Sequence, residues 1–381
     1  MEEALQIQSK TLTGEHQVQE IPVQPRELVL KFNGSAWEYF RIWIVNLCLT
    51  ILTIGIFSAW AKVRKKRYFY SHITLDGTPF QYLAQPIPIL KGRLIAVMAF
   101  LIYYASTHFF TSALPYVVAV GVVLAPWVIV RSLAFNARYS AFRNIVFHFD
   151  GKYLDASKVI YAWGIIPLLV VGMMFDWRGR LFCAGGLAVF VFTLPWWMKR
   201  LKDFIISHTS YGGKRGVFYA TGGQFFKVYF IAGLVAGLLT SVIGIITAGI
   251  AGLTFPHMVK SQTFLLLITV PIYMGYVVSY AYVQAQISNL VWNYTQLGPV
   301  RFQSTLLARG LTKLYITNAI AIIASLGLLI PWAVMRTLKY RIDNLWVIRE
   351  GNLTDFRGSK TSSVEAAGAE IGDFFNVDLS L

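Results

Sequence analysis

The sequence predicts an α-helical polytopic membrane protein of about five internally repeated helix pairs, the first and last of them short, with cytoplasmic β-hairpins. Of the 381 residues, 56% are hydrophobic and 14% are charged, whereas about a quarter of the residues in a soluble domain are charged. The mean hydropathy is +0.55. These values exclude a disordered chain, a disulfide-stapled secreted module and an ordinary soluble enzyme. The arrangement of the helix pairs follows from apolar segments, basic loops and a repeated motif.

Charge divides the chain into three parts. Residues 1–25 and residues 359–381 each carry a net charge of −3, so the overall charge of +16 leaves +22 for residues 26–358. We predict a disordered acidic N-terminal tail (1–25), a repeat-built membrane domain (26–358) and a disordered acidic C-terminal tail (359–381). Two hypotheses stand for the C-terminal tail: it docks a protein partner, or it folds back on the basic face of its own chain.

Six apolar segments approach the roughly 20 residues that a membrane-spanning helix needs. They are residues 94–111, 115–131, 159–175, 181–197, 226–252 and 262–284. Short links with few charges join them in pairs, and the stretches between pairs are rich in Lys and Arg. Because positively charged loops stay in the cytoplasm, we predict that both termini of this multi-pass chain are cytoplasmic.

Two further apolar segments, residues 40–61 and 313–335, have positive charge at both ends. A single crossing would place one basic flank outside the cell, which the positive-inside rule disfavours. We predict that each segment is a pair of short helices, broken near residues 53–55 and 325–327, that re-enters the membrane. Backbone of this kind at membrane depth requires cover by protein. A single full span is the alternative.

These two segments are copies of each other. A shift of 272 residues aligns them without a gap, and the matched positions are Asn46 with Asn318, Thr53 with Ser325, Gly55 with Gly327, Trp60 with Trp332 and Arg64 with Arg336. A Trp followed four residues later by Arg also occurs at Trp127/Arg131 and Trp196/Arg200. The agreement predicts an internal repeat, in which stacked units bury a shared core.

Each unit ends in a turn signal. His72, His208 and Asn344 come twelve residues after Trp60, Trp196 and Trp332, and we expect them to cap helix ends. Short apolar and aromatic runs around Gly follow, which predict β-hairpins. Residues 28–34 resemble one more leading hairpin. Because isolated hairpins are marginal in water, we expect them to pair into a shared cytoplasmic sheet.

The motif Thr-Ile-Gly-Ile-Phe-Ser-Ala-Trp-Ala-Lys-Val-Arg-Lys-Lys-Arg-Tyr at residues 53–68, with Gly-Thr-Pro-Phe at 77–80, resembles the signature of the YjgN family of bacterial inner-membrane proteins. Ser-Asn-Leu-Val-Trp-Asn at 288–293, running on to Gly-Pro-Val-Arg-Phe at 298–302, is similar to a later motif of that family. The resemblance covers most of residues 28–356. It implies a polytopic protein of the bacterial cytoplasmic membrane, and it carries over no catalytic or binding residue.

Polar residues in the two broken helices are candidates for a solute path: Asn46, Thr53, Gly55, Asn318, Ser325 and Gly327. Matched broken helices line such paths in transporters. Hydrogen bonding between the helices explains the same residues without transport.

The Trp/Arg pairs are candidate contacts for anionic lipid head groups, because Arg presents a two-pronged fork to phosphate. The residues are Trp60, Arg64, Trp127, Arg131, Trp196, Arg200, Trp332 and Arg336. Anchoring alone, with Trp at the interface and Arg one turn into the cytoplasm, accounts for the same pattern.

The function that the sequence favours is a pore or carrier for a small solute, and the basic cytoplasmic mouth favours an anionic solute. The alternative is a non-transporting scaffold that binds lipid and organises the membrane. No acidic residue lies within an apolar segment, which argues against an ion-coupled carrier. No catalytic, nucleotide-binding or metal motif is present, so we expect no enzymatic activity, no cofactor, no metal and no nucleic-acid partner.

Overall fold

A computed structural model describes residues 25–161, 177–254 and 262–350. The two predicted acidic tails lie outside the described residues, apart from Pro25, and so does most of the apolar segment 159–175. Ten α-helices in the described part are α1 (Ala36–Leu52), α2 (Ser58–His72), α3 (Pro86–His108), α4 (Leu114–Arg138), α5 (Tyr153–Ile160), α6 (Trp177–Ser207), α7 (Gly222–Thr254), α8 (Gln262–Asn293), α9 (Ala308–Ala324) and α10 (Ile330–Asp343).

Eleven short strands lie before, between and after successive pairs of helices in the described part. They are β1 (Arg26–Leu28), β2 (Leu30–Phe32), β3 (Ile73–Leu75), β4 (Thr78–Tyr82), β5 (Ser140–Phe142), β6 (Ile145–Phe149), β7 (Thr209–Tyr211), β8 (Lys214–Phe218), β9 (Thr295–Leu297), β10 (Val300–Ser304) and β11 (Leu345–Arg349). They form one antiparallel sheet in the order β1-β11-β10-β9-β8-β7-β6-β5-β4-β3-β2.

The sheet returns to its starting point through one segment of chain. β1 pairs with β11, with Leu28 opposite Val347, while β2 pairs with β3, with Leu30 opposite Leu75. Only Val29 separates β1 from β2, so the two ends of the sheet meet there. The leading hairpin predicted at residues 28–34 is therefore wrong. The segment bridges the first and last parts of the chain instead of folding on itself.

The helices close in the same way. Each helix contacts the next one along the chain, and α10 contacts α1. A core cluster at this closure contains Tyr39 and Tyr68 from the first helices and Met335 and Ile342 from α10. The chain thus forms a ring of helices over a sheet whose ends meet, with small apolar clusters where helices and strands join.

The predicted fold class, an α-helical polytopic protein of about five repeated helix pairs, is wrong. The described residues form a mixed architecture in which one eleven-stranded antiparallel sheet connects every part. Three helical segments of the described part are long and apolar enough to cross a membrane: Pro86–His108, Thr111–Arg138 and Gly222–Ile250. The expectation that the hairpins pair into one shared sheet is confirmed. Strands of three to five residues are too short to give a clear alternating pattern, so the sequence does not indicate the order of the strands or the closure of the sheet.

Candidate functional site

The two broken helices have the same backbone geometry. α1 ends at Leu52 and α2 begins at Ser58, while α9 ends at Ala324 and α10 begins at Ile330. Ile54 and Gly55 have φ angles of 50° and 86°, and Leu326 and Gly327 have φ angles of 51° and 91°. The break predicted at residues 53–55 and 325–327 is therefore confirmed at both places. In each turn a Gly occupies the second of two left-handed positions, and Gly adopts this conformation without steric cost.

Hydroxyl groups stabilise these two turns. Thr53 Oγ1 accepts a hydrogen bond from the backbone N–H of Phe57 at 2.9 Å, and Ser325 Oγ accepts one from the N–H of Leu329 at 3.0 Å. Both donors lie at the start of the second helix, where backbone N–H groups have no partner within the helix. Thr53 and Ser325, predicted to line a solute path, thus have a local role in capping.

The tips of the two helical hairpins are apolar and exposed. Ile54 and Leu326 are each 95% exposed. Arg64 follows Ile54 by ten residues, and Arg336 follows Leu326 by ten residues. The second helices begin at Ser58 and Ile330, six residues before Arg64 and Arg336, so the helical part between each tip and its arginine is about 9 Å long. Half of the hydrocarbon core of a bilayer is about 15 Å, so each tip fits within one leaflet.

Asn318 lies in a hydrogen-bonded cluster between α9 and α10. Its side chain is 6% exposed, and its Nδ2 donates to Thr337 Oγ1 at 3.0 Å and to the Ala333 carbonyl oxygen at 3.3 Å. Arg336 Nη1 donates to Thr317 Oγ1 at 2.6 Å and to Asn318 Oδ1 at 3.3 Å. These contacts join two of the predicted site residues, Asn318 and Arg336.

Asn46, at the equivalent position, lacks this cluster. It is 7% exposed, and its Oδ1 is buried without a hydrogen-bond partner in the described part of the chain. Val45 and Lys65 stand where Thr317 and Thr337 stand in the other copy. The first hairpin therefore has the asparagine without the two hydroxyl groups that surround it in the second hairpin.

The four Trp/Arg pairs differ in their surroundings. The Arg336 guanidinium lies over the Trp332 ring at 5.1 Å, and the Arg131 guanidinium lies over the Trp127 ring at 5.8 Å, which are cation–π distances. Arg64 and Arg200 are exposed. The guanidinium groups with the most freedom to meet a ligand are thus Arg64 and Arg200, whereas Arg336 is held by the protein.

The predicted helix caps are confirmed at three positions. The Nδ1 atoms of His72 and His208 lie 2.7 and 2.8 Å from the carbonyl oxygens of Tyr68 and Phe204, and Asn344 Nδ2 donates to the Tyr340 carbonyl oxygen at 2.8 Å. In each case the side chain reaches back four residues to the end of its helix.

Tyr68 of α2 ties the second helix of the first hairpin to the start of α1. Its Oη donates to the Ser35 carbonyl oxygen and accepts from the Ser35 N–H, both at 2.9 Å. Burial raises the pKa of the Tyr68 phenol above its ordinary value, the Ser35 hydrogen bond lowers it, and the nearby Glu38 carboxylate raises it. Within the described residues, His, Cys, Asp and Glu form no group of three that could hold a metal ion.

The sequence interpretation missed a groove between α7 and α8. It has a volume of 380 Å³ and is lined by Ala236, Thr240, Ile272, Tyr276, Ser279, Tyr280 and Val283. Its tyrosines lie on the apolar segment 262–284, and their spacing of four residues places them on one helical face. Tyrosines at this spacing within an apolar segment are the signal that could have indicated it.

Comparison with known proteins gives a family and three relatives. A family model described as "Bacterial protein of unknown function (DUF898)" matches residues 27–374. Inner membrane protein YjgN of Salmonella typhimurium (strain LT2) is 30% identical over 146 residues, which are 37% of this chain and 35% of the relative. Inner membrane protein YjgN of Escherichia coli O157:H7 and that of Escherichia coli K12 are each 27% identical over 150 residues, 38% of this chain and 36% of the relative.

The chain thus matches about a third of the length of each of these curated relatives. No solved structure matches it. The resemblance seen in the motifs at residues 53–68 and 288–302 is confirmed by these comparisons.

Proposed function

Because this chain belongs to the DUF898 family of bacterial proteins, and because its relatives are named inner membrane proteins, we propose that it is a multi-pass inner-membrane protein that binds lipid and organises the membrane without enzymatic activity. Both termini are cytoplasmic in this proposal, and the partners are lipids with anionic head groups. Of the two functions that the sequence leaves open, the geometry favours the lipid-binding scaffold over the pore.

One observation carries this proposal. Only 11%, 6% and 6% of the residues in the most apolar 18-residue windows of the three candidate spans are buried within the described chain. Apolar helices whose side chains are mainly left unburied by protein require lipid on their uncovered sides. An aqueous path needs polar groups or backbone carbonyls along its lining, and these windows offer few of them.

The two hairpins support the same function. Exposed apolar tips at Ile54 and Leu326 would be unfavourable in water and are stabilised in a hydrocarbon environment. The helical part between each tip and its arginine is about 9 Å long, which fits within the roughly 15 Å of one leaflet. Two hairpins that enter one leaflet only would occupy area there and not in the opposite leaflet. Unequal occupation of the leaflets is how this chain would organise the membrane.

Arg64 and Arg200 are the proposed head-group contacts. Each is exposed and follows a Trp by four residues, so Trp60 and Trp196 lie about one turn deeper than the guanidinium groups. Tryptophan favours the level of the head groups, and arginine binds phosphate in a two-pronged geometry. The pairs therefore suit a cytoplasmic leaflet that contains anionic phospholipid.

The test uses the full chain reconstituted in vesicles of phosphatidylethanolamine and phosphatidylglycerol at 7:3. Lipid order is measured by the fluorescence anisotropy of a membrane probe, and the release of trapped small anions is measured in the same vesicles. We expect a change in lipid order that depends on protein density, with anion release equal to that of empty vesicles. The double variant Ile54→Asp/Leu326→Asp should lose most of the change in order.

Leu253→Asp is the matched control, because Leu253 is exposed at the far end of α7 and outside both hairpins. If this control also lost most of the change in lipid order, any added charge would be shown to disturb the chain, and the hairpins would have no special role. Anion release well above the empty vesicles would overturn the proposal in favour of a pore.

A pore or carrier for a small solute is the second candidate, and two observations favour it. The helices close into a ring through the contact of α10 with α1, and the Asn46 amide oxygen is buried without a partner. A solute or a file of water that reached this oxygen would satisfy it.

Cysteine accessibility in intact cells separates the two candidates. Single cysteines at positions 46, 55, 318 and 327 are introduced into a chain in which Cys48 and Cys183 are replaced by Ser. Reaction of these sites with a small membrane-impermeant thiol reagent from outside would establish a water path to both hairpins. We expect protection at all four positions, with labelling of a control cysteine at position 111.

A further inference from the structure

The groove between α7 and α8 forms where the two helices approach closely. A Cβ atom on Gly275 would lie 2.6 Å from Thr240 Oγ1, which is too short for any side chain, and Ser279 Oγ donates to the Ala232 carbonyl oxygen at 3.3 Å. Small residues at a crossing of membrane helices allow such an approach. The close approach leaves a narrow groove. One side of it is an apolar wall formed by Ile272, Tyr276 and Tyr280 of α8.

One end of the groove is polar. The Tyr280 ring lies against the Tyr315 ring of α9, with centroids 5.9 Å apart and ring planes tilted by 37°, and Arg341 Nη2 donates to Tyr315 Oη at 3.3 Å. Gln284 Nε2 donates to Tyr280 Oη at 3.1 Å. The apolar wall therefore ends at a guanidinium group, two phenols and an amide. These polar groups lie toward the C-terminal end of α8, where the chain continues into the sheet.

The length of the groove matches one leaflet. Twelve residues separate Ile272 from Gln284, which corresponds to about 18 Å along the helix. Half of the hydrocarbon core is about 15 Å. A molecule that extends from the polar end to Ile272 therefore has the length of one leaflet of lipid.

We infer that this groove binds an anionic phospholipid, with one acyl chain along Ile272 and Tyr276 and the phosphate at Arg341 and Tyr315. The inference rests on the proposed lipid-binding function and names the lipid class and its place. A phosphodiester accepts hydrogen bonds from both the guanidinium and the phenol, and the charge of Arg341 favours an anionic head group over a zwitterionic one. The acyl chain covers the apolar wall that the described residues leave open.

Native mass spectrometry of the full chain in detergent tests this inference by titration with phosphatidylglycerol and, separately, with phosphatidylethanolamine carrying the same acyl chains. We expect one phosphatidylglycerol per chain to bind more tightly than phosphatidylethanolamine. Arg341→Gln should weaken phosphatidylglycerol about fivefold, which corresponds to about 1 kcal/mol for one basic residue at the membrane surface, and should abolish the preference between the two lipids.

Ala236→Trp fills the groove and should weaken both lipids at least tenfold. The matched controls are Lys339→Gln, an exposed basic residue on the same helix as Arg341, and Leu238→Trp, an exposed position on the same helix as Ala236 but outside the groove lining. Both controls should bind phosphatidylglycerol like the natural sequence.

Two results would overturn the inference: equal affinity of the natural chain for both lipids, or a loss in the controls equal to that in Arg341→Gln and Ala236→Trp. Palmitate and inorganic phosphate are added separately as competitors. Full displacement of the lipid by palmitate would indicate a site for an acyl chain alone, and full displacement by phosphate would indicate a site for phosphate alone. If the variants bind lipid normally while the natural chain still changes lipid order in vesicles, this groove is excluded and the proposed function stands.

Discussion

The hydroxyl of Tyr161 donates a hydrogen bond to the carbonyl oxygen of Val122, thirty-nine residues earlier in the chain. Pro126 lies in the interior of α4, and its missing N–H would have been the helical donor to this carbonyl. The Tyr153 hydroxyl donates to the neighbouring Val123 carbonyl oxygen at 2.8 Å. Two tyrosines from the segment that follows thus satisfy the part of α4 that proline disrupts.

This relationship predicts a coupling between Tyr161 and Pro126. Tyr161→Phe should lower the free energy of unfolding by about 1 to 3 kcal/mol, because it leaves a carbonyl group without a partner. In a chain that also carries Pro126→Ala, the helix regains its own donor, so the cost of Tyr161→Phe should fall to a few tenths of a kcal/mol. Thermal unfolding of the four proteins of this double-mutant cycle in detergent measures the coupling.

Tyr103→Phe is the control for this cycle, since Tyr103 is an exposed tyrosine on α3. Its removal should cost less than 0.5 kcal/mol. Equal costs of Tyr161→Phe with and without Pro126 would show that the Val122 carbonyl finds another donor.

The two equivalent asparagines should respond differently to substitution. Asn318→Leu removes the partner of Thr337 and one partner of Arg336, and we expect a loss of about 1 to 3 kcal/mol. Asn46→Leu removes a buried oxygen that has no partner in the described part, so stability should stay the same or rise. Chemical or thermal unfolding of both variants in detergent tests this asymmetry. A strong destabilisation by Asn46→Leu would indicate that Asn46 has a ligand or water partner, as the pore hypothesis requires.

Local features of this chain follow from the sequence because they depend on neighbouring residues. The left-handed turns at Gly55 and Gly327 and the helix caps at His72, His208 and Asn344 are of this kind. The sheet is different, because it depends on pairing between distant segments such as Leu28 with Val347. No pattern in a three-residue strand specifies its partner three hundred residues away, so the closure at Val29 could not be predicted.

The candidate site is predictable to a similar extent. The alignment of the two hairpins identified Asn318 and Arg336, which the structure brings into contact. It also paired Asn46 with Asn318, but the repeat gave no indication that the hydroxyl groups around them differ. Thr317 and Thr337 belong to the site only because of their contacts with Asn318 and Arg336 in the folded chain. Their counterparts Val45 and Lys65 occupy the same repeat positions but have no hydroxyl group.

The glycines of the two turns give a further prediction. Gly55→Ala should cost about 1 to 2 kcal/mol, because the residue has a φ angle of 86° and an L side chain is disfavoured there. A Cβ at this position meets no atom within 4 Å, so the cost comes from the backbone alone. Gly237→Ala, in the interior of α7, also has open space around the Cβ and should instead stabilise the chain by about 0.5 to 1 kcal/mol. Unfolding in detergent should give opposite signs for the two variants, and equal signs would contradict the turn geometry.

The equivalent arginines Arg336 and Arg64 should separate a structural role from a lipid-binding role. Arg336 donates to Thr317 and Asn318 and lies over the Trp332 ring. Arg336→Gln should therefore cost about 1.5 to 3 kcal/mol of unfolding free energy, the range for hydrogen bonds to a charged group. Arg64 is exposed, so Arg64→Gln should change stability by less than 0.5 kcal/mol.

Binding to phosphatidylglycerol should show the opposite order for variants that remain folded. Loss of one basic residue near an anionic surface weakens association about fivefold. Arg64→Gln should therefore retain less phosphatidylglycerol than the natural chain, whereas Arg336→Lys, which keeps the charge, should retain as much. The measurement is the amount of phosphatidylglycerol that stays bound to each variant after purification in detergent, counted by mass spectrometry. If Arg64→Gln retains as much phosphatidylglycerol as the natural chain, the head-group role of the exposed Trp/Arg pairs is wrong and anchoring by tryptophan accounts for the motif.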